Sequence, residues 1–239
     1  MTTPESASGA RLANPQSRAR ARLGYLLSKI ASGAPAPASG SAAATVVAAS
    51  AALLQKVALR SDKWKGAEAA HQEAEELRLR AEDLIELDST SFLEFVAAQR
   101  SGTDVEAARE KTIETPLEIA RAGTRVVQLA KVLEKNGNPN LMADSVASSI
   151  LARAAVTTAA MLVEVNLVGR PGDPRLAEAR RLVRAVSESA RPPVAPGRAG
   201  DPDRAPARSR GSDRQLPSRT ARDGRSVSAG RRPGSSRSR

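Results

Sequence analysis

Asp88 occupies a costly place for an aspartate. Apolar residues recur around it at helical spacing, with Leu77, Ala81, Leu84 and Ile85 before it and Phe92, Phe95 and Val96 after it. Asp88 lies four residues from both Leu84 and Phe92, on the inward face. A carboxylate there must be partnered or line a cavity. Lining a cavity, it can give or take a proton as a general acid or base. Partnered, it would form a structural ion pair with an arginine from another helix. The residues alone leave both readings open.

A second group of polar residues is Gly137-Asn138-Pro139-Asn140-Leu141-Met142-Ala143-Asp144. It joins two helical patterns, with Asn140 as N-cap and Asp144 in or near the first turn, where a carboxylate is favoured by the helix dipole alone. Asn166, near the Leu151 and Leu162 face, reads as a buried hydrogen-bonding residue. A third is the loop Ala34-Pro35-Ala36-Pro37-Ala38-Ser39-Gly40-Ser41. Small residues before a helix N-terminus can cradle an anion with backbone N–H groups, though composition alone describes a linker. The Gly-Lys-Ser/Thr ending of a nucleotide-phosphate loop is absent.

Helices must position these groups. Asn14-Pro15 starts one, with Leu23, Leu26, Leu27 and Ile30 on one face. After the loop, an alanine-rich helix from Ala42 to about Arg60 carries no charge before Lys56 and should be central. Longer helices follow over about 65–100 and 104–136, the latter with a kink or a recapped segment expected at Pro116. Two more span about 140–168 and 174–190. The spacing predicts an all-α antiparallel bundle with an alanine-rich central helix. It occupies 16–190, between a disordered N-terminus over 1–15 and a disordered Arg-rich tail over 191–239.

Composition narrows the chemistry. The 239 residues include no cysteine and one histidine, His71, which excludes thiolate metal clusters, cysteine nucleophiles and multi-histidine metal sites. The net charge of +11 is concentrated in the tail: 191–239 carries +9 and 1–190 only +2. Without aromatics to stack bases, that tail offers nucleic acid no more than weak, salt-sensitive phosphate attraction. The least polar run, Ala42–Leu54, is 13 residues long, too short to span a bilayer. With no signal-peptide pattern, a cytoplasmic protein without a membrane partner is expected.

The pieces, in this order, resemble the cyclodeaminase/cyclohydrolase family of folate-metabolising helical domains. A Pro-x-Pro-Gly-Gly-Gly-Ser loop corresponds to Pro35–Ser41, and an Asp-x-x-(small)-Phe element to Asp88–Phe92. A Pro-Leu pair corresponds to Pro116-Leu117, a Gly-Asn-x-Asn-x-x-(small)-Asp element to Gly137–Asp144, and Asn-Leu to Asn166-Leu167. The resemblance covers about 20–170. It implies a methenyltetrahydrofolate cyclohydrolase or formiminotetrahydrofolate cyclodeaminase, with a tetrahydrofolate derivative as substrate, no metal or organic cofactor, and a homodimeric state. It further implies Asp88 and Asp144 as catalytic acid/base residues and Ser39, Gly40, Ser41, Lys56, Asn138 and Asn140 as substrate-binding residues, with Lys56 or Arg60 facing the folate's glutamate. Ala38 and Ser39 replace two loop glycines, and Lys56 and Leu59 stand where the family has Met and Asn. Those departures suit an alternative: a family member without turnover that serves as a helical binding or scaffold module.

Overall fold

The computed structural model describes residues 15–188, with side chains from Leu23 onward. Every described residue lies within one compact unit. The expected disorder at both ends, and the tail's role, lie outside the described residues.

Six α-helices form among the described residues: α1 (Pro15–Ile30), α2 (Ser39–Leu59), α3 (Ala67–Ser101), α4 (Val105–Asn136), α5 (Met142–Asn166) and α6 (Pro174–Glu188). A short 3-10 turn, Pro139–Leu141, leads into α5. Cross-helix bonds fix the directions. Ser41 reaches Ile85 and Gln55 reaches Arg78, so α2 and α3 are antiparallel. Ser91 meets Thr115 while Lys111 meets Glu94, so α3 and α4 are antiparallel too. Ser148 donates to the Ser50 carbonyl and Lys56 pairs with Asp144, which runs α5 against α2. The expected antiparallel bundle is what the chain builds.

Its middle is lined by small residues. Ala44, Val47, Ala51, Leu54 and Val57 of α2 are fully buried, as are Ala120, Val126, Ala130, Ala152, Val156 and Ala159 on the facing helices. Close approach depends on Gly123 of α4, where an added Cβ would stand 2.7 Å from the Val156 side chain and 3.3 Å from that of Val47. Trp64 packs against this core from the turn after α2.

Two elements depart from their predicted form. α2 begins at Ser39, three residues before the expected start, because Asp88 on a distant helix supplies the cap that the local sequence lacks. α4 runs through Pro116 as one helix. The carbonyl that a proline leaves without its usual i+4 donor belongs to Thr112, and it accepts a hydrogen bond from Asn166 Nδ2 at 2.6 Å. α2 is also longer than its 13-residue apolar run: α2 and the segment 139–166 are each long and apolar enough to cross a membrane by length and composition. About half of each such stretch is buried inside the bundle (50% and 44%), where its apolarity serves packing.

Candidate functional site

The first turn of α2 is the anchor of the site. Ser41 is fully buried. Its hydroxyl lies 2.9 Å from Asp88 Oδ2, 3.1 Å from the Ile85 carbonyl and 3.0 Å from Ser89 Oγ. Ser41 also donates its backbone N–H to Asp88. Asp88 therefore sits at the positive end of α2, satisfying donors that the helix itself leaves open. No side chain closer in sequence does so: Ala38 precedes the helix and makes no capping bond.

Burial dominates the protonation of Asp88. It pushes the carboxyl above its ordinary value of 3.8, and the Ser41 hydroxyl and N–H pull it back in part. No cation pairs with it among the described residues, so the ion-pair reading of this half-buried aspartate gives way to the cavity reading.

That cavity has a volume of about 250 Å³. Asp88 and Gly40 lie on one side; Phe92, Pro116, Leu162 and Val165 form apolar walls, and Thr112, Thr115 and Asn166 add polar atoms. The rim comes from Pro35, Ala36, Ala38 and Ser39. Phe92, expected inward, is 39% exposed and stands at this cavity, because the position one turn after Asp88 faces an opening rather than the core. A planar apolar ligand with a few polar atoms fits such a lining.

Gly40 is the glycine this geometry cannot replace. A Cβ there would fall 1.9 Å from Asp88 Oδ1 and 2.4 Å from its Cγ. Of the three glycines in the related loop pattern, the one this chain retains is the one pressed against the carboxylate. Ala38 and Ser39 occupy the rim, where side chains fit.

The other half of the expected site lies elsewhere. Lys56 Nζ is 2.7 Å from Asp144 Oδ2 near the C-terminal end of α2, in a pair with side chains 58% and 29% exposed. Asn138 anchors the adjoining turn: its Nδ2 donates to the Arg60 carbonyl, its N–H to the buried Ser61 hydroxyl, and its Oδ1 accepts from the Asn140 N–H. Asn140, expected as the cap of α5, is instead the capped residue, because Asn138 starts the 3-10 turn before it. A cleft of about 230 Å³ opens here beside Arg60, Lys63, Trp64, Asn138 and Asn140. Fifteen helical residues separate Ser41 from Lys56, about 22 Å along α2. Within one chain, Ser39, Gly40, Ser41 and Asp88 are brought together; Lys56, Asn138, Asn140 and Asp144 form a second group at the far end. Asp88 and Asp144 are thus not an acid/base pair inside a single chain, since opposite ends of one helix hold them.

Several cavity residues carried weak sequence signals. Ser91 and Phe92 follow Asp88 at helical spacing, but Thr112, Thr115 and Leu162 reach it from other helices. Only Asn166 was marked by being polar on an apolar face. Among the described residues no group of three or more His, Cys, Asp or Glu side chains could hold a metal ion.

Comparison with known proteins bears on this arrangement. A comparison with curated proteins finds no match. Among solved structures, formiminotetrahydrofolate cyclodeaminase from Thermotoga maritima superposes with a TM-score of 0.62 over 70% of this chain and 88% of its own, at 23% identity. That likeness carries the fold. A family model described as formiminotransferase-cyclodeaminase matches residues 22–181, which takes in the rim loop, Asp88, Pro116, the Asn138 turn and Asn166. The chain belongs to the formiminotransferase-cyclodeaminase family.

Proposed function

We propose that the Asp88 cavity binds the reactive end of a reduced folate and that Asp88 moves the proton in a cyclohydrolase or cyclodeaminase reaction. The observation that carries this reading is a half-buried, cation-free carboxyl, raised in pKa, facing an apolar-walled cavity at a helix N-terminus. Hydrolysis of a methenyl bridge adds water to an electron-poor carbon between two nitrogens, leaves a formyl group on one of them, and releases a proton. Cyclodeamination joins the second nitrogen to that carbon and expels ammonia, which needs a proton as it leaves. Held neutral to higher pH than an ordinary aspartate, Asp88 can donate that proton; ionised, it can accept one. Neither reaction requires a metal or an organic cofactor.

The chain is proposed to work as a homodimer. Asp144, with Lys56, Asn138 and Asn140, lies too far along α2 to act on the same atom as Asp88, so it joins the reaction only if a second copy brings it there. The scaffold reading rests on one observation, that Asp88 already has a structural task as the cap of α2.

The test is a titration of the full chain with 5,10-methenyltetrahydrofolate, followed by the decay of its absorbance, for wild type and Asp88→Asn. The amide keeps an acceptor for the Ser41 donors but cannot carry the proton. Wild-type binding and turnover, with binding but no turnover in Asp88→Asn, is the expected result. No binding at millimolar folate leaves the scaffold reading in its place.

A further inference from the structure

Among the described residues, two apolar surfaces are at least partly exposed. One runs along α2 and α5. Ser50 and Ser148 mark where the helices face each other, and helical spacing puts Ala42, Val46, Ala49 and Leu53 of α2 on the outer side of that seam. Beside them stand Leu151, 40% exposed, and Val165, 57% exposed, on α5. From Ser145 to Val163 α5 carries one charge, Arg153, and α2 carries none before Lys56.

The second surface is α1. Leu23 and Leu27 are 51% and 53% exposed, and of the α1 side chains described, Leu23 to Ile30, none belongs to either hydrophobic core or packs against one. Among its described side chains the hydrogen bond is local, Ser28 to the Tyr25 carbonyl. Leu23, Leu26, Leu27 and Ile30 share one face. A helix whose apolar stripe is left out of its own core needs a partner elsewhere.

We infer that α1 of one copy lies on the α2/α5 face of a second copy, and that this docking fixes the rim of the Asp88 cavity. The lengths agree: the 16 residues of α1 reach about 24 Å, and Leu151 to Val165 spans about 21 Å. The face is apolar rather than charged, so it suits a leucine stripe better than an ionic partner. Residues 31–38 join α1 to α2, with Gly33 in open space, and Pro35, Ala36 and Ala38 of that segment form the rim. A specific interface of standard size buries about 800 Å² on each partner. Two-fold symmetry supplies two straps and two faces, each copy giving one and receiving one. The consequence for the cavity rests on the folate reading; the docking itself does not.

The chain has no cysteine, so a disulfide trap is clean. Full-length Leu27→Cys and full-length Leu151→Cys are mixed and oxidised. A covalent dimer linking the two variants is expected. No cross-link in the mixture, or a doubly substituted chain that only closes on itself as a monomer, overturns the docking. A second variant, Leu23→Asp/Leu27→Asp, changes exposed residues outside the core and should keep wild-type helicity by circular dichroism. It is expected to sediment as a monomer where wild type is a dimer, and to bind methenyltetrahydrofolate at least fivefold more weakly. Dimerisation unchanged by the double substitution overturns the docking, and folate affinity unchanged in a monomer overturns the link to the rim. If wild type binds no folate, the folate reading and the rim link fail together, while the cross-link still decides the docking.

Discussion

Replacing Gly40 by alanine sets two effects of similar size against each other. In a helix, alanine is favoured over glycine by up to about 1 kcal/mol. Here the new Cβ would lie 1.9 Å from Asp88 Oδ1 and 2.7 Å from Oδ2, far inside contact distance, so the carboxyl must turn away. Turning away gives up the bonds from the Ser41 hydroxyl and N–H, each with a net worth of about 1 kcal/mol. The balance is a net loss of about 1 kcal/mol, or roughly 2–4 °C in melting temperature for a domain of this size. Turnover should suffer far more, by roughly 100-fold, because an acid displaced by an ångström or more no longer meets its substrate atom. The control is Gly40→Ala made in Asp88→Ala. With the carboxyl gone the clash is gone, and alanine should then stabilise, giving a coupling of about 2 kcal/mol between the positions. The assays are thermal unfolding of all four proteins and methenyltetrahydrofolate decay for wild type and Gly40→Ala. A single Gly40→Ala variant that melts higher than wild type with turnover intact would refute the claim that this glycine holds Asp88 in place.

Ser41→Ala should lose about 1 kcal/mol in urea unfolding. Without the hydroxyl that favours its ionised form, Asp88 should titrate still higher, moving the acidic limb of the pH–rate profile to higher pH. Asp144→Asn removes a largely exposed pair and should cost under about 1 kcal/mol by the same unfolding assay; a loss of several would show the turn depends on it. Arg175 holds Asp173 down to about 2, against an ordinary 3.8, so its stabilisation is present above pH 4 and is lost as pH falls through 2. Unfolding measured between those limits should be flatter by about 1 kcal/mol in Asp173→Asn. Asp88 has the opposite sign: its raised pKa makes the fold less stable as pH rises through its folded value, a trend that Asp88→Asn should abolish.

The helices were legible because leucines, valines and alanines recur at helical spacing and because Asn14-Pro15 marks the start of the first. The inward place of Asp88 was legible for the same reason. What covered it was not. Periodicity tells which face an atom leaves by, not which helix stands opposite, so the serine that binds Asp88 from 47 positions away carried no local mark. The start of α2 was missed on the same account, since its cap is supplied across the bundle. The separation of Asp88 from Asp144 follows from α2 being 21 residues long, a matter of which ends of a helix their partners meet. Motif order along the chain says nothing about that.

The bond between Asn166 and the Thr112 carbonyl ties Pro116 and Asn166, 50 residues apart, into one unit of inheritance. While Pro116 is present, that carbonyl has no helical donor and the asparagine amide is needed. Replace Pro116 with a residue bearing an N–H, and the helix claims the carbonyl for itself, leaving the amide to compete for it. Replace Asn166 first, and a buried acceptor is stranded. Either single step passes through a poorer protein, whereas the paired exchange does not, so related chains should keep or abandon proline and asparagine together. In a set of aligned relatives, chains carrying one without the other should be scarcer than the separate frequencies of the two residues would give.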